Sequence, residues 1–169
     1  MLRIRVKENL HANATGSKKM PSSFKSLLVI VPEEIELDQN QILEFAKEYA
    51  ILPKKITLVV LSNKELEAVP SLIENRINLN RNAINFWGIY PYEWKTLFKQ
   101  SFDLMINYFD QNNLFANYVS SSCQAKLRIG FAQADQRIND ILFDFKPSQM
   151  KQFLTECKPY LKALLTTKK

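Results

Sequence analysis

The sequence predicts a three-layer, Rossmann-like α/β domain with a mostly parallel sheet of about six strands and a C-terminal helix. Three observations carry that prediction. Short apolar, β-branched runs recur along the chain, SLLVIV (26–31) and KITLVVLS being the clearest. Segments of helical period separate them. The end of the chain, with Met150, Phe153, Leu154, Cys157, Leu161, Leu164 and Leu165 at helical spacing, supplies one more helix to pack on the body, with Pro159 as a point where it can kink. Strands alternating with helices imply βαβ units, right-handed crossovers and helices on both faces of the sheet.

Each element has its own signal. Leu2, Ile4 and Val6 alternate with cations as in a strand, while Leu2, Val6 and Leu10 stand four apart as in a helix, so the N-terminal segment fits both. HANATGSKKMPSS has the small, polar composition of a linker. The organisation expected is therefore a basic segment and linker over 1–23 and one α/β domain over 24–169. SLLVIV is apolar throughout, as a strand covered on both faces must be. Asp38 and Gln41 resemble a capping box, opening a helix whose stripe is Ile42, Phe45, Ala46 and Tyr49 and which Pro53 stops. After KITLVVLS, Ser62 and Glu65 form a second such box and predict a helix to about Asn75, interrupted at Pro70. NAINFW (82–87) reads as a third strand closed by Gly88, and PYEWKTLFKQ as a short helix. FDLMINYF, QNNLFANYVSSS and KLRIGF then give strand, helix and strand. INDILFDF (138–145) alternates apolar and acidic residues, which suits an edge strand and a surface for pairing with a second copy.

The net charge of +6 is unevenly placed. Residues 1–25 and 146–169 each carry +5, whereas the middle of the chain carries −4. Basic ends such as Arg3, Arg5, Lys7, Lys18 and Lys19 suit contact with RNA, an anionic surface or an acidic partner, and equally a solvated surface. No apolar run approaches the ~20 residues that span a bilayer, and the N-terminus lacks a secretory signal. A cytoplasmic protein is expected, with Cys123 and Cys157 as reduced thiols and the NAT at Asn13 a chance sequon.

Several chemistries lack their residues. Only three glycines occur, and neither GxGxxG nor GxxxxGK[ST] is present, so a dinucleotide or P-loop site is not expected. His11 is the sole histidine, which leaves no Ser-His or Cys-His pair on the core and too few ligands for zinc. No cofactor and no metal are expected. Ser120, Ser121 and Ser122 read as a polar helix end, and Asp103, opening its strand at the far edge, reads as a cap or ion pair. Ligands of such sheets bind beyond the strand carboxyl ends. The residues placed there are Asp110, Asn112 and Asn113, then Asp135, Arg137 and Asp140; Asp110 equally suits a helix N-cap, and the DQRIND stretch a salt-bridged turn. Trp87, Tyr90, Tyr92 and Trp94 cluster around Gly88 and Pro91, where rings stack a base or sugar or close an interface.

Residues 102–131, FDLMINYFDQNNLFANYVSSSCQAKLRIGF, resemble a strand-helix-strand unit in the N-terminal half of bacterial heptosyltransferases. The chain departs from that pattern after its first strand, where PEEIELD replaces a glycine-containing catalytic loop, and its 169 residues leave no room for the second, nucleotide-sugar domain. No catalytic residue carries over. The chain as a whole is similar to a family of short bacterial proteins with a DLMIN…LRIGF…RINDILFD ending and a basic N-terminal segment; membership implies a fold and no function. Together these readings point to a non-enzymatic binding module whose first partner is RNA or a ribonucleoprotein, with an anionic membrane surface second. A sugar- or nucleotide-binding enzyme or accessory subunit is the alternative.

Overall fold

A computed structural model describes residues 1–15, 19–67 and 70–166. Lys18, Lys168 and Lys169 of the basic ends lie outside them. The chain forms α1 (Leu2–Thr15), β1 (Leu27–Pro32), α2 (Gln39–Glu48), β2 (Ile56–Ser62), β3 (Asn75–Asn80), α3 (Trp94–Lys99), β4 (Ser101–Asn107), α4 (Leu114–Ser122), β5 (Gln124–Phe131), β6 (Ile141–Phe143) and α5 (Met150–Thr166). All six strands are parallel, in the order β3-β2-β1-β4-β5-β6. This is the Rossmann-like order, with its switch point between β1 and β4.

The alternation of side chains along each strand divides the core between two faces. Leu27, Val29, Val31, Leu104 and Ile106 face α2 and α5. Leu28, Ile30, Phe102 and Met105 face the layer of α1, α3 and α4. Every residue of β1 and β2 is buried, which is why both strands are continuous apolar runs. Cys123 belongs to one face and Cys157 to the other, so the sheet separates them and both are free thiols. Burial pushes the Cys123 thiol up to about 12 and raises that of Cys157 likewise. None of the described helices is long and apolar enough to cross a membrane.

Local signals succeed where an element is covered and fail at the β3 edge. Asp38 caps α2 as expected, accepting from the amides of Asn40 and Gln41 and from the Gln41 side chain. Ser62 caps no helix: its hydroxyl donates to Glu33 and accepts from the Lys64 amide. No helix forms among the described residues of 62–75, of which 68 and 69 lie outside the described set, and no strand forms over 82–87; between these ranges runs β3, an edge strand of polar sequence, NRINLN. A strand paired on one side only needs one apolar face, and Leu79 is its single buried residue. The expected strand 138–145 shortens to Ile141–Phe143, at the predicted sheet edge, because residues 136–138 turn inward and bury Ile138.

The N-terminal segment resolves as a helix. Leu2 and Val6 are buried against the α4 layer while Ile4, which a strand would place beside them, is exposed. Asn9 donates to the hydroxyls of Ser121 and Ser122, and Asn13 donates its side-chain amide to the Ser121 carbonyl at 3.1 Å. The nitrogen that glycosylation of the NAT sequon would modify is thus engaged by α4.

At the amino edge of the sheet, the Asp103 carboxylate joins the starts of three strands. It accepts from the Lys25 amide at 2.8 Å, from the Ser26 hydroxyl and from Lys126 at 2.6 Å. Burial works to raise its pKa, but the Lys126 and Lys25 hydrogen bonds outweigh it and hold the carboxyl below its ordinary value. A depressed folded-state pKa contributes stability above the unfolded value, lost as pH falls through the folded one. Asp103→Asn should therefore cost about 1–3 kcal/mol at neutral pH, a deficit that shrinks below about pH 4. Urea unfolding across that range measures it.

Candidate functional site

At the switch point, where a doubly wound sheet ordinarily holds its ligand, this chain has an acidic cleft of about 480 Å³ lined by Glu34, Glu36 and Asp38 with Pro147 and Met150. β4 runs on into Tyr108 and Phe109, both buried, one on each face of the sheet. The Tyr108 hydroxyl donates to the Pro147 carbonyl and ties the start of α5 across the strand ends. Glu33, Glu34 and Glu36 follow β1, so the charge there opposes a phosphate.

Two further clefts, on either side of α1, gather cations. The larger, about 710 Å³, lies between α1, the 84–93 loop, α3 and α4. Arg5 and Asn9 enter it from successive turns of α1, and Lys95 and Lys99 from successive turns of α3. Tyr90, Tyr92, Phe98 and Tyr118 supply ring surfaces, and among the described residues no carboxylate lines it. Lys95 sits over the Tyr92 ring at 5.1 Å from its centre. Arg5 also pairs with Glu8, at 3.6 Å and with both side chains exposed, a contact worth little in water. Burial pushes the Tyr118 hydroxyl up to about 12, so it stays a neutral donor, 3.4 Å from the Gly88 carbonyl.

A closed loop presents further rings beside this groove. Asn85 accepts from the Gly88 and Ile89 amides through its carbonyl and side chain, and its own amide donates to the Ile89 carbonyl. Gly88 supplies the φ of +76° that the turn requires. Phe86 and Trp87 pack edge to face at the tip, 85% and 61% exposed, and Tyr92 is 79% exposed. Trp94 is different. At 8% exposure it belongs to the core, against Tyr90, Phe98 and Phe115, and offers no surface to a partner.

The second cleft, about 230 Å³, lies on the other side of α1 at the carboxyl edge of β4 and β5. It gathers Arg3 and Lys7 with Asn112, Asn117, Asp135 and Arg137. Sequence spacing assigned the first two to a basic tail and three of the others to the strand ends; the fold makes them one site. Asp135 holds Arg137 through Nε at 2.9 Å and Nη2 at 2.6 Å. That hydrogen bonding, partly opposed by burial, keeps the Asp135 carboxyl below its ordinary value and raises Arg137. Asn112 accepts from Asn117 at 2.7 Å.

The remaining strand-end candidates are structural or lie apart. Asn113, not Asp110, caps α4, accepting from the amides of Phe115 and Ala116. Asp110 is half-buried and lines neither cleft. Asp140 accepts from the Arg128 amide at 2.8 Å and returns its own amide to the Arg128 carbonyl, which joins β5 to the segment entering β6. Lys19 is exposed in the connection to β1. Lys95, Lys99 and Asn117 are cleft residues that the sequence patterns above do not single out. The first two had a signal, a lysine pair four apart opposite the Trp94, Leu97 and Phe98 face; Asn117 had none.

The polar letters of the DLMIN…LRIGF…RIND signature also find their partners. The Asn107 side chain donates to Asn139 at 2.8 Å, and that amide pair lies across Gly130, the residue beside Asn107 in the sheet. A Cβ on Gly130 would stand 2.6 Å from the Asn139 nitrogen.

These features define a class, a parallel-sheet Rossmann-like α/β domain with an acidic switch point and two cationic clefts divided by its N-terminal helix. A sequence model described as a family of unknown function (DUF6913) matches residues 1–164, and the chain belongs to that family. No curated protein and no solved structure matches the chain.

Gly130→Ala should cost about 1–3 kcal/mol through this clash. The cost should shrink in an Asn139→Ala background, a coupling that denaturant unfolding of the four-protein cycle reads directly.

Proposed function

We propose that the protein is a cytoplasmic binding module for single-stranded RNA, free or within a ribonucleoprotein, and that the groove between α1 and α3 is its binding surface. One observation carries the reading: Arg5, Lys95 and Lys99 flank the rings of Tyr90 and Tyr92 in a trough that, among the described residues, no carboxylate lines. Single strands are held without sequence preference by this combination, cations along the backbone and ring faces for the bases. Phe86 and Trp87, projecting from the adjoining loop, extend the stacking surface.

The concavity favours a strand over a bilayer, because a flat anionic membrane would meet the loop tip and leave the trough beneath it unfilled. The basic C-terminal end contributes less. Lys158 pairs with Glu48 at 2.6 Å, and Lys151 lies in a cleft with Glu44 and Glu48. On this reading the β4-α4-β5 unit, whose sequence resembles a stretch of bacterial heptosyltransferases, is a scaffold and not a catalytic unit.

Three phosphate contacts predict a slope of about −2 for log affinity against log salt on single-stranded RNA. Lys95→Gln with Lys99→Gln should reduce it to about −0.7, and Tyr92→Ala should weaken binding by about 1 kcal/mol or more. Fluorescence anisotropy with a labelled oligonucleotide measures all three. Absence of binding at low salt overturns the reading; binding to anionic vesicles without RNA binding replaces it with a membrane surface.

A further inference from the structure

We propose that the smaller cleft, on the opposite side of α1, binds a small phosphorylated ligand that also carries hydroxyls, of the size and chemistry of a sugar phosphate. The inference does not rest on the RNA reading, whose residues line the other groove.

Arg3 and Lys7 stand one turn apart on the same side of α1 and make no ion pair among the described residues. They present two uncompensated cations at one rim of the cleft. Arg137 faces them from the turn after β5, and its guanidinium is fixed in orientation by the Asp135 fork. Three cations converging from two elements, one of them already oriented, suit the oxygens of a phosphate monoester.

The polar residues between the cations select for more than phosphate. Asn117, on α4, lines the cleft at 2% exposure. Its nitrogen is directed to Asn112 at 2.7 Å and to Asp135 at 3.4 Å, two acceptors that fix which way the amide is turned. Its Oδ1 is buried and without a hydrogen-bond partner among the described residues. The acceptors that line the cleft are the Asp135 carboxylate and the Asn112 side chain, and ligand hydroxyls are the donors that suit them. The volume of about 230 Å³ falls below the roughly 300 Å³ where sites for drug-sized ligands begin. That size suits a single sugar ring with its phosphate and leaves no room for a dinucleotide. The location, beyond the carboxyl ends of β4 and β5, is where parallel sheets place their ligands.

Isothermal titration of the full chain with ribose 5-phosphate, inorganic phosphate and ribose tests this. Ribose 5-phosphate should bind more tightly than either component. Arg3→Gln with Lys7→Gln, both exposed and outside the core, should weaken it about tenfold or more with the melting temperature unchanged. No binding of ribose 5-phosphate at millimolar concentration overturns the proposal, as does equal binding by the double variant. If ribose 5-phosphate fails to bind while the double variant loses affinity for RNA, the cleft belongs to a longer RNA track and the small-ligand site is refuted.

Discussion

Leu2 and Val6, one turn apart on α1, are the contact on which both clefts depend. A free helix of fourteen residues with this composition is marginal in water. Burying the two side chains against the α4 layer contributes about 1.5–3 kcal/mol each. The Asn9 and Asn13 hydrogen bonds to the end of α4 then fix the helix along its length. Once seated, α1 points Arg5 to one side and Arg3 and Lys7 to the other, because residues two apart on a helix face in widely different directions. The positive charge of the N-terminal end thereby acquires two addresses.

The signature DLMIN…LRIGF…RIND has a structural explanation in this fold. Asp103 pairs with Lys126, Asn107 with Asn139 across Gly130, and the Arg128 backbone with Asp140. Each link joins β4 or β5 to a neighbouring segment. The residues of the heptosyltransferase-like stretch are therefore those that lock the sheet, while the switch-point cleft beside them is lined by Glu34, Glu36 and Asp38. The proposed ligand surfaces are accordingly those that α1 creates, away from the acidic sheet ends nearest β1.

The central strands were legible because burial on both faces demands apolar residues in succession: β1 and β2 are buried throughout, and β4 and β5 keep the shorter buried stretches LMI and LRIGF. β3 was not, because an edge strand with one buried leucine has no such run, and the Ser62–Glu65 spacing imitated a helix start. α1 was ambiguous for a definite reason. Leu2, Ile4 and Val6 satisfy period two as well as Leu2, Val6 and Leu10 satisfy period four, and only the exposure of Ile4 decides between them. Of the two clefts, the ring cluster and the basic N-terminus were visible as separate features. That Arg3 and Lys7 meet Arg137, 130 or more positions along the chain, is a tertiary fact with no local signal.

Hydrogen–deuterium exchange along α1 tests the central claim most directly, since every cleft residue it carries is placed by its docking on α4. The account predicts that the α1 amides are protected in the intact protein. A Leu2→Ser, Val6→Ser variant should lose that protection while the amides of β1 and β4 keep theirs. Exchange of the α1 amides in the unmodified protein at the rate of an unstructured peptide would contradict it.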